Sequence, residues 1–157
     1  MPFELYSSAF EQDEPIPYQY TCDGPDRSPP LEWSDVPSST RSFALIFEDV
    51  DASDGIYTHW VLYDIFADVQ SLDAGQTGMG LAGLNDFQAQ EYRGPCPPPR
   101  RGDHRYVFTL YALDVATLDL DVATLDVGQP ASRAEIEEAM TGHIVGQASL
   151  GGRYARR

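Results

Sequence analysis

The stretch SFALIFEDVDASDGIYTHWVLYDI, Ser42 to Ile65, decides the fold of this chain. It begins with a nearly continuous apolar run, SFALIFE (42–48), and ends with another, YTHWVLYDI (57–65), both rich in aromatic and branched residues. Short apolar runs of this composition, bounded by turn residues, have the pattern of strands buried on both faces. Ser53, Asp54 and Gly55 supply the turn between them, so the stretch predicts a β-hairpin. Farther along, RYVFTLYAL (Arg105 to Leu113) is a third such run, and DGPD (23–26) and GPCPPP (94–99) mark further turns. With 157 residues, near the usual size of one domain, the count predicts a single mainly β domain over 1–157.

One helix is signalled. Ser132, three residues before Glu135, makes a capping box; Ile136, Ala139 and Met140 fall on one face, and Gly142 stops the element. The tail HIVGQASLGGRY (143–154) then reads as a closing strand broken by glycines. LDVATLD occurs twice in tandem, at 113–119 and 120–126. Two copies are too few for a solenoid, so the repeat reads as a local duplication that lengthens the connection into the helix.

Charge sets the second constraint. The chain has ten Arg and no Lys, sixteen Asp and nine Glu, and a formal net charge of -15. Such a surface repels phosphate backbones and anionic lipid surfaces, which excludes general nucleic-acid and membrane-surface binding. It also repels itself unless salt shortens the Debye length, and an Asp-rich, Lys-free composition therefore reads as that of a halophile, an archaeon in particular. MPFELYSSAF has no basic region followed by an apolar stretch, and no run approaches a membrane span, so the expectation is a cytoplasmic protein without membrane insertion. Cys22 and Cys96 form no CxxC motif; both sit in Pro/Gly-rich turns, which leaves a single bridge between them open, while a reducing compartment favours two free thiols.

The chemistry-bearing residues lie in three blocks: FEDVDAS (47–53), THWV (58–61) and YRGPCPPPRRGDHRY (92–106). Across the hairpin, Asp49 and Asp51 come beside His59. Strand alternation places His59, Val61 and Tyr63 on one face and Trp60, Leu62 and Asp64 on the other, and puts His104 and Tyr106 together with Arg105 opposite. If the third strand begins beside the second, His59 and His104 face one pocket. Two His and two Asp could bind a metal, act as general acid and base, or join a tyrosine hydroxyl in donating hydrogen bonds to an anion; the residues alone leave these open, along with a purely structural role. No HExxH spacing supports a metal, and Ser28, Ser34 and Ser42 lack the GxSxG context of a nucleophile, so no catalytic residue, metal or cofactor is assigned.

Taken together, YTCDGPDRSPPLEW (20–33), SFALIFEDVDA, THWVLYDI, GLNDF (83–87), YRGPCPP, HRYVFTLYALD and GHIVGQASLGGRYAR resemble, in order and spacing, the phosphatidylethanolamine-binding protein family, in its bacterial and archaeal Raf kinase inhibitor-like branch. The resemblance implies a β-sandwich-like fold with a large central antiparallel sheet, a small second sheet and one or two peripheral helices. It also implies a small anion-binding pocket at one end of the large sheet. By motif position it carries the pocket residues onto Asp49, Asp51, His59, His104 and Tyr106, and the wall of the pocket onto Gly94, Pro95, Pro97 and Pro98. The family's DPDxP loop reads DVDAS here, without either proline. The resemblance further implies a small anionic ligand, a protein partner such as a protease or kinase, and room for a homodimer.

Overall fold

Hydrophobic alternation along the central hairpin sorts the chain into two antiparallel sheets. The computed structural model describes residues 2–53, 55–76, 79–100, 102–120 and 130–156. Its elements are β1 (Glu4–Tyr6), β2 (Leu31–Ser34), β3 (Ser42–Ala52), β4 (Gly55–Phe66), β5 (Ser71–Leu72), β6 (Leu81–Ala82), β7 (His104–Leu113), α1 (Arg133–Met140) and β8 (Ile144–Tyr154). The small sheet has the order β1-β2-β5 and the large one β6-β4-β3-β7-β8. The second copy of LDVATLD lies outside the described residues beyond its first residue, Leu120.

β3 reads as an unbroken apolar run because it is central and covered on both faces. Phe43, Leu45 and Phe47 face the small sheet and pack with Leu5, Leu31 and Trp33. Ala44 and Ile46 face the other way, toward Ile136 and Met140 of α1. Each large apolar side chain buried in this manner contributes about 1.5–3 kcal/mol. α1 carries the predicted cap: Ser132 Oγ accepts from Glu135 N–H at 3.2 Å, and Glu135 Oε1 accepts from Ser132 N–H at 3.0 Å.

Three expectations are corrected. β7 pairs with β3, not with β4, so β3 runs between the strands that carry His59 and His104. β8 is unbroken: it pairs with β7 along its length, and a Cβ on Gly152 would strike Ile16 and Phe10, so that glycine admits the N-terminal segment against the strand. β4 does not alternate strictly. The β3–β4 register shifts between Phe47↔Trp60 and Glu48↔Thr58, and again between Phe43↔Ile65 and Leu45↔Leu62. An extra residue in one strand of a pair reverses the facing of everything beyond it. His59 therefore leaves the face of Val61 and Tyr63 and turns to that of Phe47 and Tyr106, while Ile65 instead of Asp64 enters the core beside Leu62.

Candidate functional site

The inner face of the large sheet is apolar until its last turn, where it becomes polar. On β3 the series Phe43, Leu45, Phe47 ends on Asp49; on β7 the series Leu110, Phe108, Tyr106 ends on His104. The bulge in β4 adds His59. Asp49, His59, His104 and Tyr106 line a cavity of about 290 Å³, together with Tyr57, Phe87, Cys96, Pro97 and Pro98. A larger hollow, about 510 Å³ and bounded by Trp60, Leu62, Leu72 and Met79, holds none of the four. Convergence of polar groups on an apolar cavity marks a site better than size does.

Each histidine has one ring nitrogen committed. His104 Nδ1 lies 2.7 Å from Asp49 Oδ2, and because a carboxylate accepts, Nδ1 carries the hydrogen and donates it. Asp49 Oδ1 accepts the Asp51 N–H at 2.8 Å, so both carboxylate oxygens are engaged. His59 Nδ1 lies 2.7 Å from the Arg93 carbonyl oxygen, which likewise makes Nδ1 the donor and leaves Nε2 with a lone pair. Burial pushes the His59 pKa below its ordinary value, against the opposing pull of the Arg93 carbonyl and the Asp49 charge. The ring is thus neutral near pH 7.

Tyr106 is fully buried, and its hydroxyl has no hydrogen-bond partner. Asp49 and the Cys96 backbone approach it without making a bond of ordinary geometry. Burial first, and then the Asp49 charge, hold the phenol far above its usual range, so it keeps its hydrogen.

The neighbouring loop is built to hold Phe87 against His59. Asn85 is 2 % exposed and spends its whole amide on backbone. Its Nδ2 donates to the His59 and Glu91 carbonyls at 3.0 and 2.9 Å, and its Oδ1 accepts from the Phe87 and Ala89 N–H groups at 2.9 and 3.0 Å. Asp86 Oδ2 accepts the Thr58 N–H at 2.6 Å. As a result the rings of Tyr57, His59 and Phe87 meet edge to face, with centroids 5.0–5.7 Å apart. The GLNDF motif was legible in the sequence, but nothing in its spacing assigned Phe87 to the cavity.

The proline turn is pinned from behind. Cys22 and Cys96 form a disulfide with Cα atoms 5.4 Å apart, which corrects the expectation of two free thiols. The Cys22 N–H also donates to the Pro95 carbonyl at 3.2 Å, the Tyr92 hydroxyl to the Tyr20 carbonyl at 2.7 Å, and the Gly94 N–H to Asp26 Oδ1 at 2.8 Å. A Cβ on Gly94 would overlap the Tyr20 carbonyl and the Asp26 carboxylate.

Of the residues carried over by resemblance, Asp49, His59, Pro97, Pro98, His104 and Tyr106 line the cavity, and Asp51, Gly94 and Pro95 do not. Asp51 points outward and accepts from the Arg105 N–H at 2.8 Å and from Nε at 3.2 Å; these bonds hold its pKa below the ordinary carboxylate value. Gly94 and Pro95 shape the turn from behind. Without prolines, the DVDA segment extends β3 to Ala52 through a register shift between Asp49 and Ala52, and Ala52 pairs with Gly55 (φ 107°) across the turn. Among the described residues, no group of three or more His, Cys, Asp or Glu is placed to hold a metal ion, and no helix is long and apolar enough to cross a membrane.

Comparisons with known proteins agree with this fold. Residues 6–155 match the family described as phosphatidylethanolamine-binding protein. The chain is 44% identical over 158 residues to a UPF0098 protein of Methanothermobacter thermautotrophicus, covering 97% of this chain and 98% of that one. It is 42% identical over 158 residues to a UPF0098 protein of Aquifex aeolicus, covering 98% and 88%. Among solved structures, a Chlamydia trachomatis protein described as a phosphatidylethanolamine-binding protein homolog superposes with a TM-score of 0.88 at 37% identity, covering 99% of both chains. YbcL of E. coli, described as a new member of the mammalian family, superposes with a TM-score of 0.87 at 25% identity over the whole of both chains. A match over nearly the full length, joined to a cavity formed where the family's motifs converge, makes this chain a member of the phosphatidylethanolamine-binding protein family.

Proposed function

We propose that this protein binds a small oxyanion of the phosphate or phosphorylated head-group type and acts as a ligand-responsive regulator, not as a catalyst. The observation that carries this reading is the Tyr106 hydroxyl, buried in the cavity wall without a partner. An unmet buried hydroxyl costs about 1–3 kcal/mol, and a ligand oxygen that accepted its hydrogen would remove that cost. Two imidazoles with Nδ1 already committed stand beside it, oriented as binding groups. Among the described residues no serine or threonine hydroxyl bonds to either imidazole, and the one sulfur at the wall is tied in a disulfide, which argues against an activated nucleophile. The bridge also weighs against the cytoplasmic expectation, since cytosolic thiols are held reduced in most cells. Calorimetric titration of phosphate into the wild type and a His104→Ala variant tests the reading: the variant should bind about tenfold more weakly or worse, and equal affinity in both would overturn it.

A second reading has one observation in its favour. Ile56 and Phe87 at the cavity mouth are 54% and 37% exposed, an apolar rim of the kind a partner's loop covers. Inhibition of a serine protease that survived replacement of both His59 and His104 by Ala would support a role through protein contacts.

A further inference from the structure

We infer that the cavity takes its oxyanion in a singly charged form that still carries a proton, that His59 Nε2 accepts a hydrogen bond from this O–H, and that fully ionised oxyanions are turned away. The inference rests on the oxyanion reading above and specifies which oxyanions it admits.

Charge is the first limit on the ligand. Among the described residues no Arg lines the cavity, and the chain has no Lys. The guanidinium groups described around it are engaged elsewhere: Arg105 bonds to Asp51 on the outer side, Arg93 reaches Glu91 at 3.3 Å while its carbonyl accepts from His59 Nδ1, and Arg156, 3.8 Å from Cys96 Sγ, pairs with Asp23 at 3.3 Å. Among the described residues, the titratable groups that face His59 are Asp49 from β3, Tyr106 and His104 from β7, Tyr57 from β4 and Asp86 from the adjoining loop. Two of these are carboxylates and none is a permanent cation. A dianion placed beside buried Asp49 therefore meets repulsion that no fixed positive charge among the described lining residues offsets, inside a molecule whose formal charge is already -15.

Hydrogen bonding leads to the same ligand. Because the Arg93 carbonyl fixes the hydrogen of His59 on Nδ1, Nε2 offers a lone pair, and it needs a donor from the ligand. Burial keeps the ring in this neutral form. The Tyr106 hydroxyl, unpartnered and retaining its hydrogen, needs an acceptor. The Tyr106 and His59 rings meet edge to face with centroids 5.5 Å apart, and both line the same cavity. An oxyanion with one O–H and one bare oxygen satisfies the two together; an anion with four bare oxygens satisfies Tyr106 and leaves the His59 lone pair facing a negative oxygen.

The test compares three probes on the wild-type protein by calorimetry at constant ionic strength: methyl phosphate, dimethyl phosphate and sulfate. Methyl phosphate loses its last proton near pH 6, sulfate has none to give, and dimethyl phosphate is singly charged without a proton. At about pH 5, methyl phosphate should bind at least about tenfold more tightly than sulfate, and it should weaken by about tenfold or more on going to about pH 8. Dimethyl phosphate should bind more weakly than methyl phosphate at the lower pH and lose less on the change of pH. In an Asp49→Asn variant, which removes the buried charge, the preference for methyl phosphate over sulfate should shrink. Sulfate binding as tightly as methyl phosphate, or dimethyl phosphate weakening in parallel with it, would overturn the inference while leaving oxyanion binding intact. Failure of all three probes to bind at either pH would overturn the binding reading itself.

Discussion

His104 and Asp49, 55 residues apart in the chain, meet across neighbouring strands at 2.7 Å, with side chains only 11% and 7% exposed. Asp49 is opposite Tyr106 in the β3–β7 register, so His104 reaches it diagonally from two residues farther along the same face. The pair fixes which imidazole nitrogen faces the cavity, and the other Asp49 oxygen, through the Asp51 N–H, fixes the course of the strand end.

Asp49→Ala should therefore lose both functions at once. Breaking a buried pair leaves His104 without its acceptor and the Asp51 N–H unmet, so unfolding by denaturant should show a loss of about 2–4 kcal/mol. Asp49→Asn keeps an oxygen for the Asp51 N–H and should lose less.

His59 gives a prediction about pH. Its folded pKa is depressed below that of the unfolded chain, so below about pH 6.5 the unfolded chain takes up the proton first and folding loses stability as pH falls toward the folded pKa. Asp26 and Glu48, whose pKa values are raised by burial, act in the opposite sense at lower pH, so the measurement has to be a difference. The stability advantage of the wild type over His59→Asn, measured by urea unfolding, should shrink between about pH 7.5 and pH 5. A constant difference would show that the ring titrates equally in both states.

The sequence made the central strands and the capped helix legible, because β3 is apolar on both faces and Ser132 and Glu135 make a local signature. It also made Asp49, His104 and Tyr106 legible as one constellation, since β3 and β7 alternate without interruption. His59 reached the same cavity for a reason that alternation misses: a bulge turns it over, and no single residue type near 58–60 announces it. Cys22 and Cys96 were equally hidden. Their pairing depends on two loops, 74 residues apart in the chain, being held side by side by Tyr92, Gly94 and Pro95.

That bridge closes a long loop, and in the chain-entropy account a loop of this length is worth about 4 kcal/mol. A Cys22→Ser, Cys96→Ser double variant should lose up to about that much and still fold, because three backbone and side-chain hydrogen bonds continue to join the two loops. Thiol titration of the unfolded wild type should detect no free cysteine before reduction, and two after it.

Salt brings two electrostatic effects into opposition. Exposed pairs such as Arg105 with Asp51, Arg153 with Asp103 and Arg156 with Asp23 weaken as salt screens them, but pairs of this kind are worth only about 0–1 kcal/mol each. Against them stands the mutual repulsion of the carboxylates in excess: 25 acidic residues against 10 Arg leave 15 uncompensated. Raising ionic strength shortens the Debye length from about 10 Å at 0.1 M to about 3 Å at 1 M, which removes repulsion across the whole surface. Repulsion acts among every uncompensated carboxylate, whereas each pair acts once, so salt should stabilise the fold. The unfolding temperature should rise with KCl concentration by about 2–4 °C for each kcal/mol gained. Sucrose, which strengthens burial without screening charge, separates the two causes. A rise produced equally by sucrose at low salt would assign the effect to burial, and a fall with KCl would show that the ion pairs outweigh the repulsion.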